Sequence, residues 1–241
     1  MNCLVTAGPT FEPLDAVRRL TNFSTGRLGT ELANCLADHG HFVTLLIGEQ
    51  ATWRGPRRAQ AVKVFSTSAD LQERLRTLAD PSVDAVFHAA AVGDFAFGQV
   101  WQRQADGDLV SVKAGKLSTR EGPLLAELIP TPKILPQLRD WFPRARIVGW
   151  KFEVDGDRAT ALELARRQLT EARTDACVVN GPAYGDGFGL VTPTSHAPLP
   201  DAAAIFTVLE QFASAAHDFE TQNRRLPTGF AVENPWPASL L

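Results

Sequence analysis

VTAGPTFEPLDAVRRLTNFSTGRLG, residues Val5 to Gly29, joins an apolar run to two glycine-marked turns and one amide, Asn22. The run Cys3 to Thr6 has the length of a buried parallel strand, and Gly8-Pro9-Thr10 ends it with residues suited to a tight turn. Ser24-Thr25-Gly26 then opens a helical pattern with apolar residues at Leu28, Leu32, Cys35 and Leu36. Hydroxyls and unpaired amides at such a helix start suit an anion, so the segment reads as a nucleotide phosphate cradle. Glu12, Asp15, Arg18 and Arg19 crowd the intervening loop of about 16 residues, longer than the usual connection in α/β units. A plain helix cap and a permissive glycine would leave the same local pattern with no ligand.

Outward from that stretch, short apolar runs predict strands at Cys3 to Thr6, Phe42 to Ile47, Val62 to Phe65, Ala85 to Ala90, Ile147 to Phe152 and Ala176 to Val179. Helical patterns alternate with them, including Asp157 to Arg173 and Ala202 to His217, each with one apolar stripe. The alternation predicts a Rossmann-like three-layer α/β/α fold around a parallel sheet. From about 97 to 127 the pattern breaks into short segments such as LVSVK and PLLAEL, which predicts an antiparallel excursion. Ligands of open parallel sheets lie outside the strand carboxyl ends, so the loops after Thr6, Ala90, Phe152 and Val179 should converge on one crevice. Asp94 stands past the fourth strand as a loop carboxylate able to accept hydrogen bonds from ribose or base, or to help hold Mg²⁺. Ala89, Ala90 and Ala91 before it are small enough for a planar base to approach the backbone.

With 241 residues, 44% of them hydrophobic and 21% charged, the chain can bury a full core. A net charge of -3 excludes the basic excess of a general nucleic-acid binder. The amino terminus has no basic n-region, and no apolar run approaches about 18 residues, so no membrane segment is expected and cytoplasmic residence is the default. Cys3, Cys35 and Cys177 fit no zinc spacing and read as core residues, as does His88 at a strand end.

The quoted stretch resembles the opening signature of the phosphopantothenoylcysteine synthetase family. Further pieces follow in the family's order: AAAVGDF at Ala89 to Phe95, GKLST at Gly115 to Thr119, PKIL at Pro132 to Leu135, VGWKFEVD at Val148 to Asp155 and VVNGP at Val178 to Pro182. The resemblance implies a ligase domain over 1-217, with 97-127 as a dimerisation arm in a homodimer and 218-241 as a C-terminal tail. The implied reaction joins 4'-phosphopantothenate to L-cysteine, with a nucleoside triphosphate, ATP or CTP, as cosubstrate and Mg²⁺ as cofactor. Phosphopantothenate would attack the α-phosphate, pyrophosphate would leave, and the cysteine amine would attack the acyl-nucleotide. Both steps concentrate negative charge, so positioned donors and cations matter more than a nucleophilic side chain.

On that resemblance Gly8, Ser24, Thr25 and Gly26 hold phosphates, Lys116 offsets charge at the α-phosphate, and Asn22 orients the acyl-nucleotide. Ala91, Asp94 and Trp150 complete the nucleotide site, and Arg18 adds a contact for the substrate's own phosphate. The fused bacterial form carries an upstream flavin-dependent decarboxylase domain; this sequence opens on the ligase strand, so no decarboxylation is expected. That form also has two lysines where a count back from Asn180 gives Gln168 and Ala172, and WKFEVD is closer to the stand-alone eukaryotic type; both features lean towards ATP over CTP. Glu49, about 20 residues after Gly29, keeps a nicotinamide-dependent oxidoreductase as the competing reading, although Gly8 lacks the G-x-G spacing. A non-catalytic nucleotide-binding protein on the same fold is the other class.

Overall fold

The computed structural model describes residues 1–118 and 122–223; Thr119 of GKLST and the tail from 224 lie outside the described residues. In chain order the elements are β1 (Asn2–Ala7), β2 (Phe11–Pro13), β3 (Arg19–Thr21), α1 (Arg27–Asp38), β4 (Phe42–Gly48), β5 (Ala61–Phe65), α2 (Ser68–Thr77) and β6 (Ala85–His88). There follow β7 (Phe95–Arg103), β8 (Leu109–Ser111), β9 (Leu124–Pro130), a 3₁₀ turn at Leu135–Gln137, α3 (Leu138–Trp141), β10 (Arg146–Phe152) and α4 (Arg158–Ala172). The chain continues through β11 (Ala176–Asn180), β12 (Phe188–Val191), β13 (His196–Leu199) and α5 (Ala202–Asn223).

Eight strands form one sheet in the order β13-β12-β11-β10-β6-β1-β4-β5. The first six strands of this sheet to appear in sequence, β1, β4, β5, β6, β10 and β11, are parallel, so their carboxyl ends share one edge. They match the six expected strands. The chain runs outward from β1 to β4 and β5, then returns to place β6 on β1's other side, which makes the gap after β1 and β6 the topological switch point. The sheet does not end at β11: an antiparallel pair, β12 and β13, extends it. Gly189 and Pro198 interrupt the apolar pattern of the two four-residue strands FGLV and HAPL, so the sequence pattern does not mark that pair.

Alternate residues of β1 serve two cores. Cys3, Val5 and Ala7 pack with Leu32, Leu36, Ile205 and Leu209 on the side of α1 and α5, whereas Leu4 packs with Leu71, Leu138 and Ile147 on the other. Full burial of each leucine contributes roughly 1.5–3 kcal/mol, so Leu32 and Leu36, both without exposure, are what seat α1 on the sheet. The third cluster joins α4 to β11 through Ala161, Ala165, Leu169, Cys177 and Val179. Asp157 caps α4 by accepting from Thr160 N–H at 2.8 Å, and Arg173 ends it in the left-handed region at φ 53°, close to the sequence-based limits.

Two expectations need correction. The polar stretch after β1 is not an open loop, because β2 and β3 pair as a small hairpin in which Phe11 faces Thr21 and Pro13 faces Arg19. Nor do Ser24 and Thr25 cap α1: its N-cap is Gly26, at φ 78° with no side-chain hydrogen bond. The antiparallel excursion exists as a three-stranded sheet, β8-β7-β9, spanning 95–130 rather than 97–127. No helix among the described residues is long and apolar enough to cross a membrane.

Candidate active site

At the switch point the end of β1 and the start of α1, separated in sequence by the β2–β3 hairpin, pack directly against each other. Gly8 takes φ 80°, and a Cβ on Gly26 would lie 3.0 Å from both Ala51 Cβ and Ile47 Cδ1 and 3.3 Å from Gly8 Cα. A Cβ on Gly29 would lie 2.7 Å from Ala7 Cβ and 2.9 Å from Thr6 O. Only glycine lets the helix begin this close to the strand. Gly26 has no side chain to accept from the first-turn amides and Thr25 Oγ1 takes only that of Arg27, so the remaining N–H groups and the positive end of the helix dipole make a ready anion site. Ser24 is half-buried beside it, and Thr25 Oγ1 is exposed and accepts from Arg27 N–H at 3.3 Å.

A short relay of hydrogen bonds ties this cradle to the loop after β6. Ala91 N–H donates to Gly8 O at 3.0 Å and Thr10 N–H to Ala91 O at 3.1 Å. Asn22 Nδ2 donates to the same Ala91 carbonyl at 3.0 Å. Gly93 N–H reaches Thr10 Oγ1 at 2.8 Å, so Gly8, Ala91 and Asn22 are held as one unit.

On the opposite side of the sheet edge lies a cavity of about 370 Å³ between β6, β10, α4 and the segment 131–136. His88, Asp94, Lys133, Trp150, Lys151 and Gln168 are among its lining. Asp94 and Lys133 form an exposed ion pair, and Asp94 O accepts from Thr131 N–H at 2.9 Å. His88 is buried, and burial alone pushes its pKa down to about 4, so the ring is neutral at physiological pH. Thr6 Oγ1 accepts from Ala90 N–H at 3.1 Å and shares a hydrogen bond with His88 Nδ1, 3.0 Å away, which fixes the ring at the strand end. Gln168 Nε2 donates to Cys177 Sγ at 3.1 Å over Gly149, where a Cβ would sit 2.6 Å from it. The Trp150 ring packs with the α1–α5 core although the residue also lines the cavity, and its buried Nε1–H has no partner.

Residues 1–202 match the family model described as "DNA/pantothenate metabolism flavoprotein C-terminal domain". The chain belongs to that family. Among curated members of similar sequence, the coenzyme A biosynthesis bifunctional protein CoaBC of Thermococcus kodakarensis is 32% identical over 178 residues, covering 73% of this chain and 40% of that protein. The chain spans less than half the length of the curated relatives it matches. The DNA/pantothenate metabolism flavoprotein structure from Streptococcus pneumoniae shares the fold with TM-score 0.77 at 24% identity, covering 90% of this chain and all of that one. A Cab2 variant in complex with phosphopantothenate-cysteine aligns with TM-score 0.64 at 18% identity, covering 93% and 89%.

Within this DNA/pantothenate flavoprotein domain, the residues singled out from sequence fall into three groups. Gly8, Asn22, Ser24, Thr25, Gly26 and Ala91 gather at the cradle. Asp94 and Trp150 line the cavity. Arg18 and Lys116 lie away from its lining, where the hairpin tip meets the loop after β8: Arg18 pairs with Asp15 and donates to Leu117 O at 2.7 Å. Glu49, the acid of the competing reading, lies 3.7 Å from Arg19, whose guanidinium stacks on Phe11 at 4.8 Å. Lys133 stood inside PKIL and received no role from sequence. Its partner is 39 positions away, a pairing that no local pattern announces. Thr6 likewise gains its place through a contact across strands, with His88.

Proposed function

We propose that this chain is a phosphopantothenate-cysteine ligase domain that activates the 4'-phosphopantothenate carboxylate as an acyl-nucleotide and passes it to the cysteine amine. The observation that carries the reading is the uncapped α1 terminus joined to Asn22 through Gly8 and Ala91, a donor array next to a cavity of nucleotide-base size. Family membership, the CoaBC name of the relatives and the phosphopantothenate-cysteine of the Cab2 complex support it. In this reading the triphosphate lies on the amides of Gly26 and the first turn of α1, with Ser24 and Thr25 hydroxyls beside it. Trp150 offers its ring and unpaired N–H to the nucleotide, and Asn22 orients the acyl-phosphate for attack. Lys116 supplies positive charge as pyrophosphate departs. Arg18 meets the phosphate of phosphopantothenate.

Mg²⁺ fits this donor set, since it is usually held by one or two carboxylates plus substrate phosphates, and among the described residues Asp94, with Glu171, is one of two carboxylate residues lining the cavity. Bound there, it would neutralise phosphate charge. Gln168 and Ala172 on the cavity wall favour ATP over CTP. A homodimer is supported by the apolar surface of the arm, where Phe95, Leu109, Val110, Leu128 and Ile129 are all exposed; light scattering that finds only monomer would remove it. Residence in the cytoplasm goes with this chemistry.

The deciding experiment is pyrophosphate release with 4'-phosphopantothenate and Mg²⁺, ATP against CTP, with and without cysteine, and mass spectrometry of the product. Cysteine-dependent phosphopantothenoylcysteine is expected, faster with ATP. Folded protein that releases no pyrophosphate with either nucleotide would overturn the reading.

A further inference from the structure

Lys116 sits on a segment bound at both flanks to the tip of the β2–β3 hairpin. Ala16 N–H donates to Gly115 O at 2.9 Å, Leu117 N–H to Asp15 Oδ2 at 3.0 Å, and Arg18 Nη2 to Leu117 O at 2.7 Å. Leu117 is buried while Lys116 beside it is exposed, so one residue anchors and the next projects. Asp15 is the hub. Its side chain has no exposure, Oδ1 accepts from Val17 and Arg18 N–H at 2.9 and 2.8 Å, and Oδ2 takes the Arg18 guanidinium as well as Leu117. The Leu117 N–H, with the Val17 and Arg18 donors, holds this carboxyl well below the usual carboxylate range. Five donor contacts fill its lone pairs and leave none for a ligand, so its effect must pass through what it holds.

We propose that Asp15 is the positioning residue for Lys116: it docks residues 115–117 onto the hairpin that leads directly into Asn22, and so fixes the ammonium relative to the cradle. The inference rests on the role given to Lys116 above. A lysine side chain is long and rotamer-rich, and a misplacement of about 1 Å can cost roughly 10²-fold in rate. An anchored backbone fixes the point from which that side chain projects before substrate arrives. Arg18 contributes by closing the ring from Asp15 to the Leu117 carbonyl.

Two readouts test it. Asp15→Asn, nearly the same size but unable to accept from all five donors, should speed hydrogen exchange at the Leu117 amide by about tenfold or more and leave the Gly29 and Thr30 amides unchanged. In turnover, Asp15→Asn should lower kcat roughly 10–100-fold with the KM for nucleotide within about threefold, and adding Lys116→Ala should cost less than about twofold more. Unchanged exchange at Leu117, or losses that multiply in the double variant, would overturn the proposal. If Asp15→Asn does not fold, Arg18→Lys keeps a cation beside Asp15 while removing the fork that reaches Leu117, and the same two readouts apply. Exchange needs no substrate, so a wild type that proves inactive sinks the ligase reading while the docking is still decided by Leu117.

Discussion

The cradle and the cavity meet along one sheet edge but are built in opposite ways. The cradle is backbone: Gly8, Gly26 and Gly29 matter for the atoms they lack, and all three fall within 22 consecutive residues. The cavity is side chains, drawn from 88–94, 131–136, 150–151 and 164–172. A backbone site is close to all-or-none, since one added methyl moves a helix, whereas a side-chain site can be retuned residue by residue. Binding strength should therefore live in the first and selectivity in the second.

The largest effect should come from the cradle. Gly29→Ala forces α1 away from β1 and should cost about 1–3 kcal/mol of stability, with nucleotide affinity falling at least about tenfold because the first-turn amides shift with the helix. Urea unfolding and calorimetric titration measure both; a variant that binds normally would show that the helix start is not the phosphate site. Next, Asn22→Asp should leave nucleotide affinity nearly unchanged and slow conversion of the acyl-nucleotide roughly 10–100-fold, which a single-turnover assay resolves. Equal turnover would remove Asn22 from the reaction.

His88 sets a pH signature for the cavity side. Burial lowers its pKa from 6.5 to about 4, so between those values the unfolded chain binds a proton that the folded one refuses. Its contribution is fully present above pH 6.5 and is lost as pH falls towards 4, on the order of 3 kcal/mol at the limit. His88→Gln should flatten that slope in urea midpoints measured from pH 7 to 4; an unchanged slope would assign it to other groups. Smaller still, Lys133→Met breaks an exposed ion pair worth at most about 1 kcal/mol, so stability should hardly change while nucleotide affinity shifts a few-fold as Asp94 is freed. Smallest is Gln168→Lys, expected to move the ATP to CTP ratio of kcat/KM a few-fold towards CTP. If neither cavity variant changes affinity or the nucleotide ratio, the contrast between the two regions fails.

Legibility in the sequence follows the same division. Each parallel strand announces itself in four to seven residues, and the cradle's glycines adjoin the strand and helix they serve, so both are visible locally. The β2–β3 hairpin is illegible in the sequence because three-residue strands leave almost no periodicity. Gly26 displaced Ser24 and Thr25 as the cap because the cap must pass within contact distance of Gly8, a tertiary demand that overrides the hydroxyl preference. The Asp94–Lys133 pair and the Thr6–His88 bond join residues 39 and 82 positions apart, distances over which composition and spacing carry no signal.

The parallel register has a practical side. Because β1 begins at Asn2 and ends at Ala7 on the crevice edge, Met1 lies about 20 Å from the cradle, at the far rim of the sheet. A dye, a biotin handle or a surface tether attached at the amino terminus would leave the crevice facing solution, an orientation suited to watching single turnovers on an immobilised molecule.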